Sequence, residues 1–274
     1  MANSFKKMIQ EKVISRTDSG MFIGIHDIHV KPGFNKRDDD ERTRTADEEL
    51  YSFLLNGGKV PPLEVVPRDE GGVWIVEGHR RQRCFLRCLD AGKPIERIHI
   101  TRFEGNDVER LARIMTSNNQ LPLTAMEQAA VVKELAAFNL TKQEIARLVN
   151  KSLPTIENLL TLSNANHDVQ QKVKAGEVST GVAVDRVKAF GEKAGEVLEK
   201  DKATAAAAGK KKVTRSVIAP EISMKKARRL VELITLAGVN ENGAITLSGE
   251  LLNEVVAIIN EQRDIEAQRS KLVA

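Results

Sequence analysis

The sequence predicts an α+β protein, with a small mixed α/β domain first, an all-helical domain second and a helical C-terminal segment last. Short β-rich runs alternate with helical stretches up to about residue 105, and the pattern is helical from there onward. Apolar residues make up 41% of the 274 residues and aromatic residues only 4%, so the predicted cores consist of aliphatic side chains. That length accommodates two or three domains.

The composition argues against several classes of protein. No apolar run approaches the roughly 20 residues of a membrane-spanning helix, and residues 1–16 lack the apolar stretch of a secretory signal. Cys84 and Cys88 lie four positions apart in a predicted helix, which indicates reduced thiols in the core of a cytoplasmic protein. The net charge is only +4, but basic residues concentrate at 78–113 and 205–229. Such stretches are typical of a polyanionic partner, with a solvated surface as the alternative.

The first part of the chain is predicted to comprise a flexible N-terminus at 1–20 and the mixed α/β domain at 21–116. Residues 1–20 are polar, whereas the apolar run at 21–30 predicts a short strand. The elements that follow are a charged loop at 35–47, a helix capped by Asp47 and ending at Leu55, an antiparallel hairpin of 63–66 and 73–76, a helix at 79–91 and a strand at 95–101.

Short amphipathic stretches separated by polar turns predict the all-helical domain at 117–190. The helices predicted from the end of the first domain onward lie at 107–117, 124–138, 141–150, 152–163, 166–175 and 179–190.

The remaining chain is predicted to be a tether and a tail. Residues 191–221 are rich in Ala and Lys and indicate a basic linker. Residues 222–274 form the helical C-terminal segment, with helices at 223–236 and 248–270 and a turn at 240–243. The second helix has a broad apolar stripe, which favours a homodimer over simple packing against the first helix.

Residues 140–160 have the pattern of a DNA-binding helix-turn-helix. Thr141 and Glu144 form a capping box, and Asn150 stands at the turn, where a left-handed backbone is needed. The second helix offers no arginine for a bidentate contact with guanine, so Asn158 is the best reader of a base. The candidate contacts to double-stranded DNA are Lys142, Lys151, Ser152, Thr155 and Asn158, together with Lys210, Lys211 and Lys212 of the basic stretch. An ordinary helical hairpin is the alternative.

The turn at Gly78 has the features of a phosphate-binding site. A predicted strand runs into Gly78, and the next helix opens with His79, Arg80, Arg81, Gln82 and Arg83. A helix N-terminus offers unpaired N–H groups to an anion, and arginine forks suit phosphate. Because the arginines oppose the helix dipole and no counter-anion is evident in the sequence, a bound phosphate is favoured over plain surface charge.

The order of these motifs resembles the ParB partition family. The strand, EGHRRQR and helix are similar to that family's GERRxRA box. Residues 31–37, KPGFNKR, resemble a degraded NPxxPR segment, and residues 117–121, SNNQL, occupy the place of the ENxQR box. Residues 176–181, GEVSTG, match the GxISxG element that follows the helix-turn-helix. The resemblance covers about residues 21–190 and is to the plasmid or phage type of this family.

The resemblance implies a ParB/sulfiredoxin-like N-terminal domain that binds CTP with Mg²⁺, in a dimer that closes around DNA and works with a Walker-type partition ATPase. By motif position, Gly78, His79, Arg80 and Arg81 would hold the triphosphate, with Arg83 in support. Arg37 would be an upstream phosphate contact, and Asn118 would bind the metal. The implied location is the cytoplasm, on nucleoid, plasmid or phage DNA.

Two departures from the family's motifs bear on catalysis. Ser117 stands where the ENxQR box has Glu, and Leu121 stands where it has Arg. A hydroxyl does not replace a carboxylate that orients water or binds metal, so efficient CTP hydrolysis is not expected. Two alternative functions remain open for the same motifs. One is a ParB-fold transcriptional regulator without a nucleotide switch, and the other is a ParB-like metal-dependent nuclease.

Overall fold

The computed structural model describes residues 3–117, 121–219, 221–237, 245–247 and 249–273, with side chains up to residue 267. The chain forms two compact units, Met1–Asn164 and Ala165–Ala274. The boundary predicted after residue 116 therefore falls inside the first unit, which also contains the helix-turn-helix. Among the described helices, none is both long and apolar enough to cross a membrane.

The first unit is built on a six-stranded sheet. Its strands are β1 (Ile14–Thr17), β2 (Gly20–Ile23), β3 (Ile28–His29), β4 (Leu63–Pro67), β5 (Val73–Glu77) and β6 (Ile98–Arg102). The strand order is β1-β2-β6-β4-β5-β3. The predicted hairpin is confirmed, since β4 and β5 pair antiparallel with Glu64 opposite Glu77, while β4 and β6 are parallel.

Within the described part of the first unit, seven helices surround or follow this sheet. They are α1 (Phe5–Gln10), α2 (Glu41–Leu55), α3 (His79–Asp90), α4 (Asp107–Thr116), α5 (Ala125–Ala137), α6 (Lys142–Leu148) and α7 (Leu153–Ser163). Alternate residues of the strands point into the sheet core, and its members are mainly aliphatic, as predicted. Its members include Ile14, Ile23, Leu63, Val65, Val73, Ile75, Ile98 and Ile100. The predicted α+β class is confirmed.

The N-terminal segment differs from the prediction of a flexible tail at residues 1–20. Ser4 caps α1 by accepting a hydrogen bond from the Lys7 backbone N–H. Phe5 and Met8 of this helix are buried in the sheet core, and β1 is an edge strand of the sheet. Two apolar side chains among lysines are enough to anchor the segment, and that weak pattern did not predict a helix.

Two further elements of the first unit depart from the sequence prediction. The single strand predicted at 21–30 is interrupted by a 3₁₀ turn, Ile25–Asp27, between β2 and β3. The loop predicted at 35–47 ends at Asp40, whose side chain accepts from the Thr43 N–H at 2.7 Å and caps α2. Asp47 therefore lies inside α2 instead of at its start.

The second unit is helical. Its helices are α8 (His167–Lys174), α9 (Thr180–Phe190), α10 (Ala194–Ala207), α11 (Arg215–Ile218), α12 (Met224–Ala237) and α13 (Gly249–Val273). Leu233 of α12 is buried against Val255 and Ile258 of α13. The turn predicted at 240–243 lies outside the described residues.

The predicted linker at 191–221 is, over its described residues 191–219, a folded part of the second unit. Leu198 and Ala205 of α10 are buried, and Arg186 of α9 donates to both oxygens of Asp201 at 2.7 and 2.9 Å. Val213 is also buried and forms a β-bridge with Val178. Alanine has the highest helix propensity of all residues. The Ala-rich stretch therefore extends helix α10 and is not a flexible tether.

We predict that Leu198→Ala lowers the free energy of unfolding by about 2–5 kcal/mol, because it removes a fully buried side chain from a packed helix. Chemical denaturation followed by circular dichroism measures the change. Lys200→Ala on the exposed face of the same helix is the control and should shift stability by no more than ~0.5 kcal/mol. Equal, small effects from both variants would show that the segment is a linker after all.

Candidate functional site

The turn between β5 and α3 is shaped to receive an anion. Gly78 has φ of 102°, a left-handed backbone, and a Cβ at this position would lie 2.5 Å from Leu63 Cδ2. Only glycine fits there without displacing the β4 side chain. No side chain caps α3, so its first-turn N–H groups and the positive end of its dipole are available to a ligand.

The arginines of this turn have carboxylate partners, which corrects the expectation that none was present. Arg80 Nε donates to Asp47 Oδ1 and an Arg83 terminal nitrogen donates to Asp47 Oδ2, both at 2.6 Å. Arg81 pairs with Glu77 and also donates to the carbonyls of the Pro61-Pro62 segment at 2.6 and 2.8 Å. Arg81 therefore fixes the turn, whereas Asp47 engages Arg80 through the Nε nitrogen.

His79 occupies the first position of α3 in its neutral form. Its ring lies beside that of Phe34, with centroids 6.0 Å apart, and no described group hydrogen-bonds to its buried Nε2 atom. Burial, followed by the charge of Arg83, lowers the pKa of His79 to about 4. At neutral pH the ring contributes shape and no positive charge to the turn.

A cavity of about 810 Å³ opens in front of this turn. Its wall includes five cationic side chains and three carboxylates, which are Arg37, Lys59, Arg80, Arg81, Arg113, Glu49, Glu64 and Glu77. Glu64 and Arg113, which the sequence did not single out, form a two-bond ion pair, and the hydrogen bond from Arg113 to Glu64 is the main cause that raises the pKa of Arg113. The size and charge suit a polyphosphate.

Residues of the upstream and downstream motifs both line this cavity. Arg37 and Leu121 both line it, and an Arg37 terminal nitrogen donates to the Leu121 carbonyl at 2.7 Å. Burial lowers the pKa of Arg37, against the opposing charge of Glu127. Ser117 also lines the cavity, while Asn118, the predicted metal ligand, lies outside the described residues.

A magnesium ion would fit here chiefly through the phosphates. Mg²⁺ usually keeps its waters and takes only one or two protein oxygens beside phosphate oxygens. Among the described residues, no group of three His, Cys, Asp or Glu side chains is placed to hold a metal. Glu64 and Glu77 face the cavity, but each is paired with an arginine.

The predicted helix-turn-helix has the expected local geometry. Thr141 and Glu144 make both bonds of a capping box at α6, and Asn150 has φ of 52° at the turn. Ser152 caps α7 by accepting from the Thr155 N–H at 3.3 Å. Ile145, Ala146, Ile156 and Leu159 are buried between and below the helices.

The candidate DNA contacts differ in their exposure and partners. Lys151 and Ser152 are exposed at the start of α7, and Thr155 and Asn158 are partly exposed on that helix. Lys142 lies 3.3 Å from Glu157, so its charge is partly neutralised. In the second unit, the three lysines at 210–212 are exposed in the turn after α10.

The two cysteines are core residues. Cys84 and Cys88 are both buried, on the face of α3 that packs against α2. Burial raises the pKa of Cys84 to about 11, and a protonated thiol is a poor nucleophile.

Fold and site together define a class: a helix-turn-helix protein with a basic cavity in the same structural unit. Residues 122–199 match the family model for the ParB HTH domain. A probable chromosome-partitioning protein ParB from Vibrio cholerae is 30% identical over 156 residues, which are 57% of this chain and 52% of that protein. The chromosome-partitioning protein Spo0J from Thermus thermophilus is 30% identical over 146 residues, 52% of each chain.

A solved structure gives a weaker similarity. It is the C-terminally truncated ParB from Caulobacter crescentus complexed to the centromeric parS site, with a TM-score of 0.48 and 22% identity over 69% of this chain and 92% of that chain. The chain spans about half the length of the curated relatives it matches. The chain is ParB-like, and the resemblance drawn from its motifs is confirmed by the domain match and the relatives.

We predict that His79 makes stability depend on pH below neutrality. Its pKa of about 4 in the folded protein lies below the usual ~6.5, so the unfolded chain takes up the proton first. The stabilising effect of the neutral ring is complete above pH 6.5 and is lost as the pH falls toward 4, by about 3 kcal/mol. Urea unfolding of wild type and His79→Gln between pH 4 and 7 measures it. A difference between the two proteins that stays constant with pH would contradict this account.

Proposed function

We propose that this chain is a ParB-like DNA-binding protein that acts in the partition of a plasmid, phage or bacterial chromosome, and that CTP with Mg²⁺ controls it. The observation that carries the proposal is the basic cavity at the uncapped N-terminus of α3, in the same unit as the helix-turn-helix. One element binds a polyphosphate, and the other binds the DNA.

The residues of the cavity have separate roles in this proposal. The first-turn N–H groups after Gly78 and the terminal nitrogens of Arg80 bind phosphate oxygens. Arg81 holds the turn in place through Glu77 and the Pro61-Pro62 carbonyls. Arg37 adds a further charge from the cavity wall, and Arg83 supports Arg80 through their common partner Asp47. Bound Mg²⁺ would neutralise phosphate charge, with Asn118 as its proposed protein ligand.

Hydrolysis of the bound nucleotide is slow or absent in this proposal. A water molecule that attacks a phosphate needs a group to orient it. Ser117, which has no carboxylate, lines the cavity where the family's box has Glu. The carboxylates of Glu64 and Glu77 are engaged by Arg113 and Arg81. The nucleotide therefore acts as a ligand that sets the state of the protein.

The helix pair α12 and α13 is the proposed dimer contact. Apolar side chains remain exposed on α12 and α13, including Val231, Leu236, Leu252 and Val256. Isologous pairing of this surface would give the two-fold arrangement that a DNA clamp needs. A Walker-type partition ATPase as a partner, and a cytoplasmic location on DNA, belong to the same proposal.

A transcriptional regulator without a nucleotide switch is the second candidate. The observation in its favour is Asp47, which neutralises Arg80 and Arg83 without a bound nucleotide. In such a protein the turn would be a purely structural remnant. Binding of CTP separates the two candidates.

We predict that wild type binds CTP in the presence of Mg²⁺ and that Arg80→Ala weakens this binding at least about tenfold, since a lost charge-assisted contact costs ~1.5–3 kcal/mol. Isothermal titration calorimetry measures the affinities. Arg16→Ala on the edge strand β1 is the matched control, because Arg16 is exposed and does not line the cavity. Steady release of inorganic phosphate at about one per minute would refute the inference from Ser117 that hydrolysis is slow or absent. If wild type does not bind CTP, the transcriptional regulator without a nucleotide switch becomes the favoured function.

We predict that DNA binding weakens steeply as salt rises, since each neutralised phosphate releases counterions. Replacing the lysines at 210–212 with Ala should lower affinity for all sequences about equally, and Asn158→Ala should weaken only the preferred site. Fluorescence anisotropy at several salt concentrations measures both effects. Replacing Lys6 and Lys31, which are exposed, together with the partly exposed Lys7 is the control of equal charge. An affinity that does not change with salt, or an equal loss in the control, would contradict the electrostatic assignment.

A further inference from the structure

Glu127 is a buried carboxylate that the proposed function has not used. It lies in the first turn of α5 and is only 2% exposed. Its Oε2 accepts from the Thr124 backbone N–H at 2.6 Å, which closes the capping box of α5. Its Oε1 accepts from the Asp38 backbone N–H at 2.8 Å, 89 positions earlier in the chain. One carboxylate thus joins a helix start to a distant segment.

The segment that Glu127 holds carries part of the cavity wall. Arg37, which lines the cavity, directly precedes Asp38 and donates to the Leu121 carbonyl. Arg42 donates to the Pro122 carbonyl at 2.8 Å and lies 3.4 Å from Glu127 Oε2. Arg37, Asp38 and Arg42 therefore all contact the short stretch 121–127.

The same stretch leads into the helix-turn-helix. Helix α5 begins at Ala125 and packs against α7, the predicted recognition helix. A displacement of Arg37 toward a bound phosphate would pull on the Asp38 N–H and hence on the first turn of α5. Burying a carboxylate costs free energy unless donors surround it, so Glu127 resists separation of the two segments.

We propose that Glu127 is a positioning residue that places Arg37 at the cavity wall and couples occupancy of the cavity to the helix-turn-helix through α5. The inference rests on the proposed function, because it assumes that CTP enters the cavity. Coupling between two ligands is reciprocal. CTP and DNA therefore change each other's affinity by the same factor, and Glu127 sets that factor.

Two variants separate positioning from helix capping. Glu127→Gln keeps a capping residue, since Gln also serves at this position, but it loses the second acceptor oxygen needed for Asp38. Thr124→Ala removes the other half of the capping box and leaves the contact with Asp38. Glu134→Ala is the matched control. Glu134 also lies on α5, and its ion pair with Lys36 (2.6 Å) also joins this helix to the segment before α2. The pair is partly exposed, and exposed ion pairs contribute little to stability.

The experiment measures CTP affinity with and without DNA by calorimetry, and thermal stability alongside. We expect Glu127→Gln to raise the Kd for CTP about tenfold, as for the loss of a hydrogen bond to a charged group, and to bring the coupling factor close to 1. Thr124→Ala should lower Tm, and with Glu134→Ala it should leave CTP affinity and coupling unchanged.

The other outcomes overturn the inference in distinguishable ways. If wild type binds CTP and Glu127→Gln binds it equally well with equal coupling, the inference fails and the proposed function stands. If Thr124→Ala weakens CTP binding and coupling as much as Glu127→Gln does, the stability of α5 explains both effects, and positioning by Glu127 is refuted. If wild type does not bind CTP, the proposed function fails and the inference fails with it.

Discussion

The ion pairs that Asp47 makes with Arg80 and Arg83 stabilise a cluster of arginines at the N-terminus of helix α3. Positive side chains in a first turn oppose the helix dipole, and here they do so at the open start of α3. Asp47 offsets that cost from α2, one oxygen to each arginine, at 2.6 Å. The same contact sets α2 beside α3, and the buried Cys84 and Cys88 fill the space between the two helices. The turn is thereby formed before any ligand arrives.

This arrangement shapes what the cavity can bind. An anion at the N-terminus of α3 adds to Asp47 and does not replace it, because Arg80 meets Asp47 through Nε and keeps its terminal nitrogens for a second partner. Glu64 and Glu77 reduce the positive charge of the wall further along. A ligand with several negative charges gains most from such a site, whereas a singly charged anion meets carboxylates as well as arginines. The chemistry of the wall thus favours a polyphosphate.

Features that depend on residues close in the chain could be predicted from the sequence. The capping box of Thr141 and Glu144, the left-handed Asn150 and the β4–β5 hairpin each follow from a spacing of a few residues. The strand–Gly78–helix turn was predictable for the same reason. Arg37 was assigned to the phosphate site only because its motif resembles that of a family, and no local pattern in the sequence indicated its contact with Leu121.

Features that depend on distant partners could not be predicted. Asp47 pairs with Arg80 and Arg83, which lie 33 and 36 positions further along the chain. It lies in the interior of α2 because Asp40, and not Asp47, caps that helix. The helix α10 within 191–221 could not be predicted, because an Ala-rich composition is compatible with both a flexible tether and a helix. Burial of Leu198 settles the choice, and burial depends on packing that no local pattern contains.

The central claim is that the N-terminus of α3 receives a triphosphate while Asp47 stays in place. A crystal structure of the chain grown with CTP and Mg²⁺ tests it most directly. The account predicts phosphate oxygens within hydrogen-bond distance of the backbone N–H groups after Gly78 and of the Arg80 terminal nitrogens, with the Asp47 ion pairs intact. A nucleotide bound elsewhere on the protein, or an unliganded α3 N-terminus at saturating CTP, would contradict it.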